Sequence, residues 1–217
     1  MTLPVVSIVG VSGSGKTTLL VKVVAELVKR GWRVNTLKHD AHGFSIDRKG
    51  KDSWKHKKAG ASSVALSCPD KIAVIKDVKK EWPAERIIAG FLLDADVVIT
   101  EGYKKAASPK IEVVRAKRSK KPVCAKDPLL LAFASDMLLP GHTPVYKLND
   151  FRGIAALIEK KIIKKHKPAS VTLIADNAAI SLKPFIENLI RDGVSGMVKS
   201  LKGVRRAREI EIRIKNR

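Results

Sequence analysis

Cysteine is nearly missing from this chain of 217 residues: Cys68 and Cys124 stand far apart and form no C-x-x-C pair. That argues against a disulfide scaffold or a cysteine metal site, and leaves two reduced, partly buried thiols. Aromatics are scarce too, at 5%. Modules that bind single-stranded nucleic acid stack bases on aromatic side chains set among basic ones; no such stretch occurs, which disfavours a nucleic-acid-binding function. No apolar run approaches the roughly 20 residues of a membrane span, and no signal-peptide pattern opens the chain, so a cytoplasmic protein without a membrane partner is expected. Acids are outnumbered, with 21 Asp/Glu against 43 Lys/Arg, for a net charge of +22. Such an excess implies polyanionic partners: nucleotides, phosphorylated cofactors, nucleic acid and acidic protein surfaces are all open. A hydrophobic content of 45% is ample for a packed core.

What the sequence does contain is concentrated near its start. Gly10-Val11-Ser12-Gly13-Ser14-Gly15-Lys16-Thr17 fits the P-loop pattern G-x-x-x-x-G-K-[ST]. Pro4 to Val9 reads as a buried strand leading in, and Thr18-Leu19-Leu20 opens a helix leading out. That strand–loop–helix context separates a P-loop from a chance match. Glycines let the backbone curl closely enough for its N–H groups, including those of Ser12, Ser14 and Thr18, to surround a phosphate. Lys16 would reach the β/γ-phosphates and the Thr17 hydroxyl would hold Mg²⁺.

The helix continues through Val23, Leu27 and Val28 to Gly31. Trp32 to Leu37 reads as the second strand of a βαβ unit, delivering Lys38-His39-Asp40 to the carboxyl edge where parallel sheets bind ligands. A polar stretch from Ala41 to Asp52 follows, containing His42, Asp47 and Lys51, and a loop of that length is usually functional or mobile. For Asp47 and Asp52, helix capping and a role at the site are equal alternatives, whereas Ser53 reads as a cap. Ser63 to Ser67 and Lys71 to Ile75 form a hairpin at one side of the sheet, and Pro83 to Leu93 a helix.

Asp94 to Tyr103 is the second informative element. At about 3.3 Å per residue, Asp96 lies roughly 16 Å from Glu101 along the strand, so only Glu101 stands at the P-loop's edge of the sheet. There it would hold the metal or the attacking water. Ile111 to Arg115 is a further strand; Pro122 to Ala125 and Leu129 to Ala134 read as one strand and its return. A helix from Asp150 runs into the basic stretch Lys160 to Lys167, and Pro168 marks a boundary. Beyond it come two short strands, a helix from Phe185 to Leu201, and a half-buried strand in which Ile210, Ile212 and Ile214 alternate with charges.

The expected architecture is therefore an α/β P-loop NTPase, with a mostly parallel sheet flanked by helices and a small C-terminal ββαβ appendage. Residues 1–167 form the nucleotide-binding domain and 168–217 a basic extension; from residue 160 onward 15 Lys/Arg face 5 Asp/Glu. That excess is read either as a solvated face or as a dock for an acidic partner. No N-K-x-D sequence reads guanine, and a P-loop small-molecule kinase is the alternative function, with a nucleic-acid module behind it.

Taken together, the P-loop, Lys38-His39-Asp40, Asp47-x-x-Gly50-Lys51-Asp52-Ser53-Trp54-Lys55-His56 with Ala59-Gly60-Ala61, and Glu101-Gly102-Tyr103-Lys104 before Pro109-Lys110-Ile111-Glu112 resemble the molybdopterin-guanine dinucleotide biosynthesis protein B (MobB) family. The resemblance spans roughly residues 3 to 160. It implies a GTP- and Mg²⁺-binding protein with weak GTPase activity, usually a homodimer. It also implies partners, a molybdenum cofactor guanylyltransferase and molybdopterin-handling proteins, and a role in attaching GMP to molybdopterin. Carried over by position, Gly10, Gly13, Gly15, Lys16 and Thr17 would bind phosphate and metal, Glu101 would serve the metal or water, and Asp47, Lys51 and Asp52 would line the site. For His39 and His42 a phosphate-contacting role is favoured over metal ligation. Arg48-Lys49 stands where the family commonly has a proline.

Overall fold

The computed structural model describes residues 3–40, 43–119, 121–166, 171–175, 178–202, 210–212 and 214. Its centre is β1 (Val5–Val9), an unbroken apolar run apart from Ser7, buried at every position. A strand flanked by partners on both edges and covered on both faces has no solvated side, which is why the sequence there shows no alternation. β5 (Val97–Glu101) and β6 (Lys110–Val114) lie on either side of it and are equally buried. β2 (Val34–Lys38), β7 (Leu130–Ser135) and β8 (Val145–Lys147) complete a six-stranded sheet in the order β2-β5-β1-β6-β7-β8, with every pairing parallel.

Period-two alternation sorts the central strands between two cores. Val6, Ile8, Val97 and Ile99 pack with Leu19, Leu20, Val23 and Leu27 of α1 (Lys16–Lys29) and with Ile154, Ala155 and Ile158 of α4 (Phe151–Ile158). Val5 and Val98 face the other way, onto Ala84 and Ile88 of α3 (Ala84–Phe91). Each fully buried aliphatic side chain contributes about 1.5–3 kcal/mol. The result is an α/β fold with a parallel sheet flanked by helices, as the sequence indicates.

Several local expectations change. β3 (Ser63–Cys68) and β4 (Lys71–Lys76) do form the hairpin, but as a separate two-stranded antiparallel sheet rather than an edge of the main one. Pro122 to Ala125 is not a strand: Glu112, buried inside β6, accepts the Val123 and Cys124 N–H groups at 2.6 and 2.9 Å and ties that segment down as a loop. α2 (Asp52–Lys58) starts without a side-chain cap, so neither Asp52 nor Ser53 caps it. α4 is capped by Asp150, whose carboxylate accepts the Gly153 N–H, and then widens into a π-helical turn at Glu159–Ile163. The lysines from Lys160 to Lys165 are solvated, with Lys164 paired to Glu159, and Lys167 and Pro168 lie outside the described residues.

Beyond that point β9 (Leu173–Ala175) pairs antiparallel with β10 (Ala178–Ile180), which approaches α3, and α5 (Pro184–Lys199) follows. Of the last expected strand, Ile210, Glu211, Ile212 and Ile214 belong to no ladder among the described residues, and Arg213 and Lys215 lie outside them.

Candidate functional site

The loop between β1 and α1 is shaped by its glycines. Gly10 has φ +146°, and a Cβ there would come within 2.5 Å of the Val113 carbonyl oxygen on β6. Gly15, in the left-handed region at φ +99°, turns the chain into α1. No side chain caps that helix, and its first turn holds no acid. The uncapped N–H groups and the positive end of the helix dipole therefore face the loop's interior, an arrangement suited to an anion.

Four side chains define this face of the loop. Lys16 Nζ folds back over the loop to donate to the Val11 carbonyl at 2.9 Å. The Thr17 hydroxyl donates to Glu101 Oε1 at 2.8 Å, joining the first turn of α1 to the last residue of β5. Ser14 Oγ is fully buried and has no hydrogen-bond partner, although burying an unpaired hydroxyl costs about 1–3 kcal/mol. An orphaned hydroxyl beside uncapped backbone amides fits a phosphate oxygen, and a hydroxyl paired with a carboxylate is a hard-oxygen donor set of the kind Mg²⁺ takes. No cluster of three or more His, Cys, Asp or Glu able to hold a metal occurs among the described residues, so phosphate oxygens and water would have to complete the coordination of such an ion.

Burial, the largest cause, holds the Lys16 ammonium below the ordinary lysine value. Glu101 opposes that shift, while Lys104 and Lys38 reinforce it. Lys38 ends β2 in register with Glu101. His39 follows, its N–H donating to the Glu101 carbonyl at 3.0 Å. Its ring lies 5.0 Å from that of Tyr103, and its Nε2 is 2.7 Å from Glu81 Oε1, so a carboxylate and an aromatic hold it in place. Gly102, at φ +93°, lets the chain pass His39 closely, and Tyr103 at φ +52° continues the tight turn.

The structure thus brings Gly10, Gly13, Ser14, Gly15, Lys16, Thr17, Lys38, His39 and Glu101 to one sheet edge. Ser12 and Thr18 are exposed beside them. It does not join the 47–52 segment to this group. Asp47 accepts from the Ser53 hydroxyl at 2.7 Å while its second oxygen is buried without a partner. Asp52 pairs with Lys55 of its own helix, and Lys51 is exposed. His42 lies outside the described residues.

Sequence reasoning missed the far wall. A Cβ built on Gly13 would lie 3.2 Å from Arg118 Nε, and one on Gly15 would lie 4.0 Å from the Arg115 guanidinium. Both arginines follow β6, about a hundred residues from the P-loop. Only the strand order, which seats β6 beside β1, brings them there.

With this geometry in view, the chain is similar to known proteins along most of its length. It is 36% identical over 158 residues to a molybdopterin-guanine dinucleotide biosynthesis adapter protein of Haemophilus influenzae, covering 72% of this chain and 88% of the relative. The protein of the same name from Escherichia coli is 29% identical over 168 residues, covering 76% and 96%. A crystal structure of molybdopterin-guanine biosynthesis protein B superimposes with a TM-score of 0.60 at 33% identity, over 72% of this chain and 99% of that one. The family model described as molybdopterin guanine dinucleotide synthesis protein B matches residues 5–136, well over half of the sequence, and the chain belongs to the MobB family.

Proposed function

We propose that this is a GTP-binding protein with weak Mg²⁺-dependent GTPase activity, which assists a molybdenum cofactor guanylyltransferase in attaching GMP to molybdopterin. The observation that carries the reading is the buried, unpartnered Ser14 hydroxyl inside a glycine-shaped loop closed by the Thr17–Glu101 hydrogen bond. The pathway rests on the family and on the names its relatives carry.

In this reading Lys16 exchanges the Val11 carbonyl for phosphate oxygens, and the loop amides with Ser14 Oγ hold the phosphate chain in one orientation. Thr17 and Glu101 would hold Mg²⁺, which supplies charge neutralisation on the phosphates. Glu101 is only 8% exposed and would orient a water admitted to the loop. Asp47, Lys51 and Asp52 would join the site by movement of their loop. Residues 1–167 act as the nucleotide-binding domain and 168–217 as a basic extension, in a cytoplasmic homodimer. Ile72 and Val74, exposed two residues apart on β4, offer an apolar face that supports such self-association.

Binding and hydrolysis of GTP and ATP by the purified chain test this. Lys16→Ala should weaken GTP binding at least about tenfold, whereas Glu101→Gln should retain nucleotide and lose most hydrolysis. A clear preference for ATP would overturn the guanine assignment. Normal turnover in Glu101→Gln would remove Glu101 from the mechanism, and failure to retain a guanylyltransferase in a pull-down would remove the proposed partner.

A further inference from the structure

The strand order contains a divergence that the nucleotide reading leaves unused. β1 passes the chain to α1 and then to β2 on one side of the sheet, while its neighbour β6 passes it to β7 on the other. Loops leaving adjacent parallel strands in opposite directions open a crevice at the carboxyl edge, and open α/β sheets bind ligands in such crevices. The P-loop is one wall of it. The other is the turn from Arg115 to Ser119, closed by Arg118 and Ser119 N–H groups that donate to the Arg115 carbonyl at 2.8 and 3.0 Å. Asp136, just past β7, accepts the Ala116 N–H at 2.8 Å and anchors this turn to the next strand.

Both arginines of the turn lean over P-loop glycines, Arg118 over Gly13 and Arg115 over Gly15. Neither guanidinium has an acidic or carbonyl partner among the described residues. Lys38 and Lys104 share the electrostatic surroundings of Lys16, where Glu101 is the opposing acid. Arg115 and Arg118 thus face the P-loop without a paired acid, and a guanidinium's planar fork suits two phosphate oxygens at once.

We propose that Arg115 and Arg118 are phosphate-contacting residues which grip the nucleotide from the β6 side and stabilise the charge that develops on the terminal phosphate during hydrolysis. The inference rests on the GTPase reading above. In that step a water oxygen bonds to the γ-phosphorus as the bridging P–O bond breaks, leaving GDP and inorganic phosphate, with one proton released to solvent. Supplying both arginines from the same chain means that the charge stabilisation some phosphoryl-transfer proteins obtain from a partner is built in here.

Calorimetric GTP and GDP affinities and single-turnover GTP hydrolysis, measured on the full chain, test this for wild type, Lys16→Ala, Arg115→Ala, Arg118→Ala and Arg118→Lys. Both arginines are exposed, so melting temperatures should match wild type. Each alanine variant should lose about tenfold in GTP affinity, with a smaller loss for GDP. Its turnover should fall about a hundredfold or more, and Arg118→Lys should recover part of the affinity but little of the rate. Alanine variants that bind and turn over GTP like wild type would overturn the inference and leave the nucleotide site standing. A wild-type chain that binds no triphosphate while folded would overturn both.

Discussion

Lys16 is the residue at which burial and charge conflict most directly. Desolvation lowers its pKa, Lys38 and Lys104 lower it further, and Glu101 only partly offsets them. A lysine whose folded pKa is depressed costs stability while it is charged. That cost is present below the folded pKa and is relieved as pH rises through it towards the ordinary 10.5. A bound triphosphate reverses the balance by favouring the ammonium form. Binding should therefore take up protons at alkaline pH, and GTP affinity should be level below the lowered pKa and fall as pH rises through it. Calorimetry in two alkaline buffers of different ionisation enthalpy reads the uptake directly, and identical apparent enthalpies would refute it. Lys16, Thr17 and Glu101 are legible in the sequence because their chemistry is local: a motif for two of them, and strand direction for the third. The unpartnered Ser14 hydroxyl is not legible, since only packing shows that nothing else satisfies it.

At the scale of elements, β6 shows how a buried strand handles charge. Lys110 and Glu112 are each about 1% exposed, in a strand that reads as only moderately apolar. Lys110 donates to the Ala106 and Ser108 carbonyls at 2.7 and 3.1 Å and pairs with Asp127 at 2.9 Å, so the loop before β6 and the segment before β7 are both fastened to it. Asp127 is held below the usual carboxylate range by that lysine, so the pairing is complete above the ordinary value of 3.8 and is lost as pH falls through the depressed one. Glu112 binds two backbone N–H groups in the same way. Glu112→Ala should cost about 2–4 kcal/mol in urea unfolding, because two donors lose their acceptor, and Glu112→Gln should cost less. An unchanged midpoint would show that the 122–124 loop finds water instead. The loop has the apolar residues of a strand, but its Val123 and Cys124 N–H groups go to a carboxylate that only the folded sheet places there, not to a neighbouring strand. The β3–β4 hairpin, by contrast, was legible, because Cys68-Pro69-Asp70 joins two β-rich runs within one short stretch.

For the whole molecule, the charge of +22 is spread over both the sheet domain and the extension. No helix among the described residues is long and apolar enough to cross a membrane. If the extension is a separate unit, a chain ending at residue 167 should keep GTP affinity within about twofold of the full protein. Its melting temperature should drop by only a few degrees, reflecting lost contact between β10 and α3. Loss of nucleotide binding on truncation would refute the division. The sequence by itself determined the parallel α/β architecture, the P-loop, the strand-end acid and the family, because each is written in contiguous residues whose periodicity or spacing is set by backbone geometry. Tertiary structure alone decided which strands became neighbours. By seating β6 against β1, it set Arg115 and Arg118 beside the P-loop glycines, a juxtaposition that depends on strand order and on no local pattern.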